Sequence, residues 1–276
     1  MRYYSAMKYW QIFILSFFLA FSVNARPTRD FGQSSRSALP ASYIKALVWN
    51  IHAGKDESFA SELKTLNRGT HLQLFQEADL TDELESILLE HDYSYTHARS
   101  YTSALSGAIK GVATASVARA TNTRALRSTV NEFGVVSPKA VLLQTFKIEN
   151  RKKDLLVVNV HAINFVTNKL FKEHMNQIIK AIKSHTGSVL MAGDFNTWNK
   201  ERLSYLDKEL SRLSITRASL GQGRTRFPDL GRWFGVQLGG ALDQVYIRDL
   251  TIRYSEIHAW SESSDHKPIE IHFSVN

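Results

Sequence analysis

Asp194 and Asn196 stand two residues apart, just past the point where an apolar run, Val189-Leu190-Met191-Ala192, is broken by Gly193. The run reads as a buried strand, and the glycine ends it so that the carboxylate and the amide emerge at its carboxyl end. Side chains at i and i+2 leave a strand on one face, so the two groups can converge on a single ligand. A carboxylate there can accept a proton or align a nucleophile, whereas an amide does not titrate and holds an anionic oxygen or a water. Taken alone, Gly-Asp-x-Asn is equally a strand-end turn closed by an Asx cap.

Other strand ends carry similar groups. Strands are predicted at 44–49, 72–75, 111–117, 140–148, 155–161, 189–192, 241–247, 251–258 and 268–274, and helices from about 57 and at 81–90, 168–184 and 200–213. Asn50 and His52 follow the first strand, Gln76-Glu77 the second, and Asn159-Val160-His161 closes another. Leu242-Asp243 and Ser263-Ser264-Asp265-His266-Lys267-Pro268 bracket the last strands. Each segment alone is commonplace. In a layered α/β fold such strand ends gather around one ligand, so their recurrence points to a shared site.

Taken in order, Trp49-Asn50-Ile51, Gln76-Glu77, Asn159-Val160-His161, Gly193-Asp194-Phe195-Asn196, Leu242-Asp243 and Ser264-Asp265-His266-Lys267-Pro268 resemble the motifs of the endonuclease/exonuclease/phosphatase superfamily. Pancreatic-type deoxyribonuclease, abasic-site endonucleases, inositol polyphosphate 5-phosphatases and bacterial sphingomyelinases belong to it. The short Leu242–Arg248 segment resembles the superfamily's small bacterial members that carry signal peptides. The resemblance implies an α/β fold, a four-layer sandwich of two mixed β-sheets packed face to face with helices outside. It also implies phosphodiester hydrolysis by in-line water attack. By the same resemblance Glu77, Asn50 and Asp265 hold the metal, Mg²⁺ with Mn²⁺ or Ca²⁺ as alternatives, which suits an all-oxygen shell. His266 paired with Asp243 is base or cationic clamp, Asp194 orients the water, Asn196 binds the scissile phosphate and His161 protonates the leaving oxygen. One position departs from the pattern: abasic-site endonucleases carry an aspartate where this chain has His52, which reads as a residue beside the ligands or on the surface. The remaining histidines, His71, His91, His97, His174, His185 and His258, fit no motif.

Composition narrows the partners. The chain has 276 residues, 43% hydrophobic and 22% charged, enough for a sizeable core. It has no cysteine, so a metal must take oxygen or imidazole ligands. A formal charge of +8 favours a polyanion. No acidic residue occurs from Tyr93 to Asn131 or from Leu210 to Phe227, and Arg124, Arg127, Arg224 and Arg226 in those stretches are the expected phosphate contacts to nucleic acid. The cluster Arg232-Trp233-Phe234 keeps open a lipid or inositol-phosphate substrate at a membrane surface. At the N-terminus, Arg2 and Lys8 precede an apolar run to Val23, followed by Val23-Asn24-Ala25. Residues 1–25 therefore read as a signal peptide directing export to the periplasm or beyond, 26–41 as a flexible linker, and 42–276 as one monomeric domain with no obligate protein partner.

Overall fold

The computed structural model describes residues 27–103, 106–132, 137–220 and 242–276. Its strands form two mixed sheets. The first contains β1 (Thr28–Gly32), β2 (Ile44–Asn50), β3 (Leu72–Gln76), β4 (Ser94–Thr102), β5 (Ile109–Ser116), β12 (Leu250–Ile257) and β13 (Ile269–Val275), in the order β1-β4-β5-β3-β2-β13-β12. The second contains β6 (Asn122–Arg127), β7 (Ala140–Phe146), β8 (Leu155–His161), β9 (Val189–Asp194), β10 (Thr216–Arg217) and β11 (Asp243–Arg248), in the order β10-β11-β9-β8-β7-β6. Helices α1 (Phe59–Leu66) and α2 (Asp82–Leu89) cover the first sheet, and α3 (Asn168–Ile182) and α4 (Lys200–Ser211) cover the second.

Strand alternation explains the four layers. On β2, Ala46 and Val48 face the other sheet while Leu47 and Trp49 face α1 and α2. On β9, Leu190 and Ala192 face inward while Val189 and Met191 face α3 and α4. Strands apolar on both faces read as unbroken hydrophobic runs, which is how β2, β8 and β9 appear in the sequence. The helices supply one apolar stripe each: Phe59, Leu63 and Leu66 on α1, and Phe171, Met175, Ile178 and Ile182 on α3. The starts of α2, α3 and α4 are capped by side chains, with Thr81, Thr167 and Asn199 accepting from the backbone N–H three residues on.

Pairing brings the polar strand ends together. β2 and β3 are parallel, as are β8 and β9, so Asn50, Glu77, His161 and Asp194 leave their strands in one direction. β11 runs antiparallel to β9 with Asp243 opposite Asp194, and β13 runs antiparallel to β2 with Ile269 opposite Val48. The segments entering β11 and β13 therefore arrive at the same rim.

Residues 26–41 are not the linker expected. Thr28–Gly32 pairs with β4, Arg36 bridges Ala118, and Leu39 bridges Ile148 with no exposed surface. The stretch is polar because β1 is an edge strand with no fully buried residue. β4 and β6 also went unread: β4 turns small polar groups inward, and β6 is an exposed edge. Leu39→Ala is expected to cost about 2–5 kcal/mol, measured by chemical denaturation, where a free linker residue would cost nothing.

Candidate active site

The rim is built by chain turns that only unusual backbone can make. Gly193 has φ +136°, and a Cβ there would lie 2.1 Å from the Val160 carbonyl oxygen. Among the described residues, four of the seven non-glycine residues with positive φ, His52, Ala53, Glu77 and Asn196, sit at this rim. Such conformations cost about 1–3 kcal/mol each and cluster where function constrains the chain. The turns are held by hydrogen bonds: Ala53 N–H donates to the Glu77 carbonyl (2.9 Å), Ile51 N–H to the Gln76 carbonyl (3.0 Å) and Asn196 N–H to Asp194 Oδ1 (3.0 Å).

Asn50 joins the two sheets. Its Nδ2 donates to Glu77 Oε1 (3.3 Å) on its own sheet and to Asp194 Oδ2 (3.2 Å) on the other. One layer deeper, Asn159 Nδ2 on β8 donates to the Phe75 and Ala113 carbonyls (3.2 and 2.9 Å), and Gln76 Nε2 donates back to Asn159 Oδ1 (2.8 Å). Asn159 is a cross-sheet tie rather than a ligand.

His266 Nδ1 donates to Asp243 Oδ2 at 2.8 Å, which directs Nε2 toward Asp194 Oδ2, 3.9 Å away. Burial alone would lower the imidazole pKa. The carboxylates of Asp243 and Asp194 outweigh it and raise it to about 10. Burial raises Asp194 to about 7, with Asp243 and Glu77 adding to it and His266 opposing. His161 Nε2 lies 3.7 Å from Glu77 Oε1 and 3.8 Å from Asp194 Oδ2. Burial, with Lys139 and His266 nearby, pushes its pKa well below the ordinary range, which favours the neutral ring. Asn196 is buried, with Nδ2 on the Ala162 carbonyl (2.9 Å) and its second amide hydrogen without an acceptor among the described residues.

Glu77 and Asp265 are the accessible carboxylates, their side chains 39% and 51% exposed. His52, expected beside the ligands or on the surface, is exposed, with Nδ1 3.8 Å from each of them. Asn50 presents its nitrogen, not its oxygen, to Glu77, so it could act as a ligand only if the amide turned over. Among the described residues no three histidine or carboxylate groups close around an ion. The donor set nevertheless fits a hard divalent cation that keeps most of its water: few protein carboxylates, partly exposed, with no sulfur.

The expected phosphate contacts are dispersed. Arg127, at the end of β6, pairs with Ala140, and Val141 pairs with Val160, so Arg127 reaches the rim roughly 10 Å to the side of β8. Arg124 lies three residues further along the same exposed edge. Arg224, Arg226 and the Arg232-Trp233-Phe234 cluster lie outside the described residues, as do residues 1–25.

Sequence reading passed over Arg202. It is fully buried between the rings of Phe171 and Trp198, each 4.5 Å from its guanidinium. It donates to the carbonyls of Asn196 (3.0 Å), Asn164 (3.0 Å) and Val166 (2.7 Å), tying together the turns after β8 and β9. Nothing in its helical position on α4 announced this.

Two mixed sheets with helices outside, carrying a carboxylate–imidazole cluster at one rim, are the architecture of a family whose members hydrolyse phosphodiester bonds. The chain belongs to the endonuclease/exonuclease/phosphatase family, whose profile matches residues 47–266. It is 32% identical over 235 residues to a UPF0294 protein of Vibrio campbellii, covering 84% of this chain and 78% of that one. Its fold is similar to that of a family protein from Leptotrichia buccalis, with TM-score 0.63, 15% identity, and coverage of 83% of this chain and 98% of that one. It is also similar to the human Nocturnin catalytic domain, solved with bound sulfate, with TM-score 0.64, 16% identity, and coverage of 91% and 100%.

In the metal-free protein His266 is expected to stay protonated throughout the neutral range. Asp243→Asn removes the nearest carboxylate and should lower its pKa by about one to three pH units. A ¹⁵N-imidazole NMR titration reads both. An unchanged pKa in the variant would deny the dyad.

Proposed function

We propose that the domain is a divalent-cation-dependent phosphodiester hydrolase acting on nucleic acid as a nonspecific endonuclease, and that it works outside the cytoplasm. The observation that carries this reading is the buried His266–Asp243 pair facing Asp194 across a 3.9 Å gap, with Glu77 and Asp265 open beside it. Four carboxylates around one imidazolium would repel a phosphate. Glu77 and Asp265 are the residues that would hold a cation, Mg²⁺ by their oxygen chemistry. When bound, such an ion neutralises phosphate oxygens and offsets that repulsion.

The chain's own groups then have separate tasks. Held between carboxylates, His266 is a cationic clamp for a non-bridging phosphate oxygen. Asp194, whose Oδ1 is occupied by the Asn196 N–H, has Oδ2 toward the cleft to orient the attacking water. The remaining amide hydrogen of Asn196 and the neutral ring of His161 donate to phosphate oxygens as charge develops. Arg127 and Arg124 extend positive charge along the β6 edge and support a long anionic substrate.

Mg²⁺-dependent nicking of supercoiled plasmid tests the reading. Activity should vanish with chelator and fall about 10²–10⁴-fold in His266→Ala and Asp194→Ala. Arg124→Ala and Arg127→Ala should each weaken binding uniformly across sequences and reduce the salt slope by about one. Release of phosphate from a lipid or inositol phosphate, with nucleic acid untouched, would overturn the substrate while keeping the chemistry.

A further inference from the structure

Glu62 lies on α1 in the helix layer, and the proposed chemistry makes no use of it. Its carboxylate is nonetheless only 8% exposed. A buried carboxylate is tolerated only when its oxygens are satisfied. Here one weak partner is local, Ser58 Oγ donating to Oε1 at 3.4 Å, and the close ones are neutral donors from three consecutive residues about 200 positions later. Oε2 accepts from the hydroxyls of Ser261 (2.6 Å) and Ser263 (2.7 Å), with Ser263 N–H at 3.4 Å, and Oε1 accepts from Glu262 N–H (3.0 Å). Burial raises the carboxyl, but these donors outweigh it and hold its pKa below the ordinary value.

The gripped turn leads directly into the site. Ser264 Oγ donates to the Asn50 carbonyl (2.6 Å) and accepts from His266 N–H (3.2 Å), while Trp49 Nε1 donates to the His266 carbonyl (3.0 Å). Asp265 and His266 thus hang between two anchors, β2 on one side and Glu62 on the other. The apolar packing of α1 does not explain an acid at this place, since Phe59, Leu63 and Leu66 already hold the helix. The donors of 261–263 do.

We propose that Glu62 is a positioning residue: through Ser261, Glu262 and Ser263 it sets where Asp265 and His266 stand against Asp194 and Asp243. The catalytic consequence rests on the hydrolase reading above; the mechanical one does not. Glu62→Gln keeps the side chain's shape but turns an N–H₂ toward donors, and Ser261→Ala/Ser263→Ala removes the hydroxyls from the other side.

The test is amide hydrogen exchange on the whole chain, run beside steady-state kinetics. In either variant, protection of amides 262–267 should fall at least ten-fold while β8 and β9 keep theirs. Combining the changes should add little, because both break one grip. With the hydrolase reading correct, kcat falls roughly 10–100-fold with KM nearly unchanged, as expected for a misplaced group. Wild-type kcat in Glu62→Gln, unchanged protection at 262–267, or loss spread over both sheets would each overturn the proposal. Should the wild type hydrolyse none of the substrates, the exchange result alone decides the grip, and the functional reading fails separately.

Discussion

The site depends on two sheets keeping a fixed register across their shared face. Asn50, Glu77, Asp265 and His266 come from the seven-stranded sheet, whereas His161, Asp194, Asn196 and Asp243 come from the six-stranded one. Apolar packing between the sheets is strong but non-directional, and a layer of Val, Leu and Ile can slide. Directional bonds lock it near the rim. Asn159 reaches from β8 to carbonyls of β3 and β5, Gln76 returns the contact, and Asn50 bridges Glu77 to Asp194. These buried bonds would be broken if the sheets slid, so the ties disfavour other registers.

Around that lock, the loops are positioned from behind by charged groups that never reach the cleft. Arg202 holds the turns after β8 and β9 by their carbonyls, and Glu62 holds the turn before His266 by its donors. The cation takes acceptors and the anion takes donors. Both lie in the helix layers, so the outer elements of the sandwich do more than cover apolar faces. The strained φ values of His52, Glu77 and Asn196 are the local cost of aiming side chains from strand ends into one place.

How far the sequence alone reveals this depended on the kind of signal. β2, β8 and β9 were legible because strands buried on both faces are unbroken apolar runs, and a polar residue at the end of such a run stands out. Glu77, Asp194 and His266 followed from that contrast together with the family motifs. β4 was hidden because Thr96, Ala98 and Ser100 face the other sheet, where small polar groups replace the usual large apolar ones. β1 and β6 were hidden because edge strands are polar. Glu62 and Arg202 left no mark, since a charged residue on an amphipathic helix reads as solvated until the fold places a partner over it. The burial of His161, which lowers its pKa, is likewise recorded by no motif.

The central claim is that one cleft, assembled from both sheets, gathers a divalent cation at Glu77 and Asp265. The direct measurement is Mn²⁺ titration of the metal-free protein, followed by paramagnetic broadening of its histidine ring resonances. His52, His161 and His266 should broaden first and together, and Glu77→Gln should abolish the effect. Earlier broadening of His258 and His272, which flank Glu270 away from the cleft, or broadening of His52 without His161 and His266, would contradict a shared site.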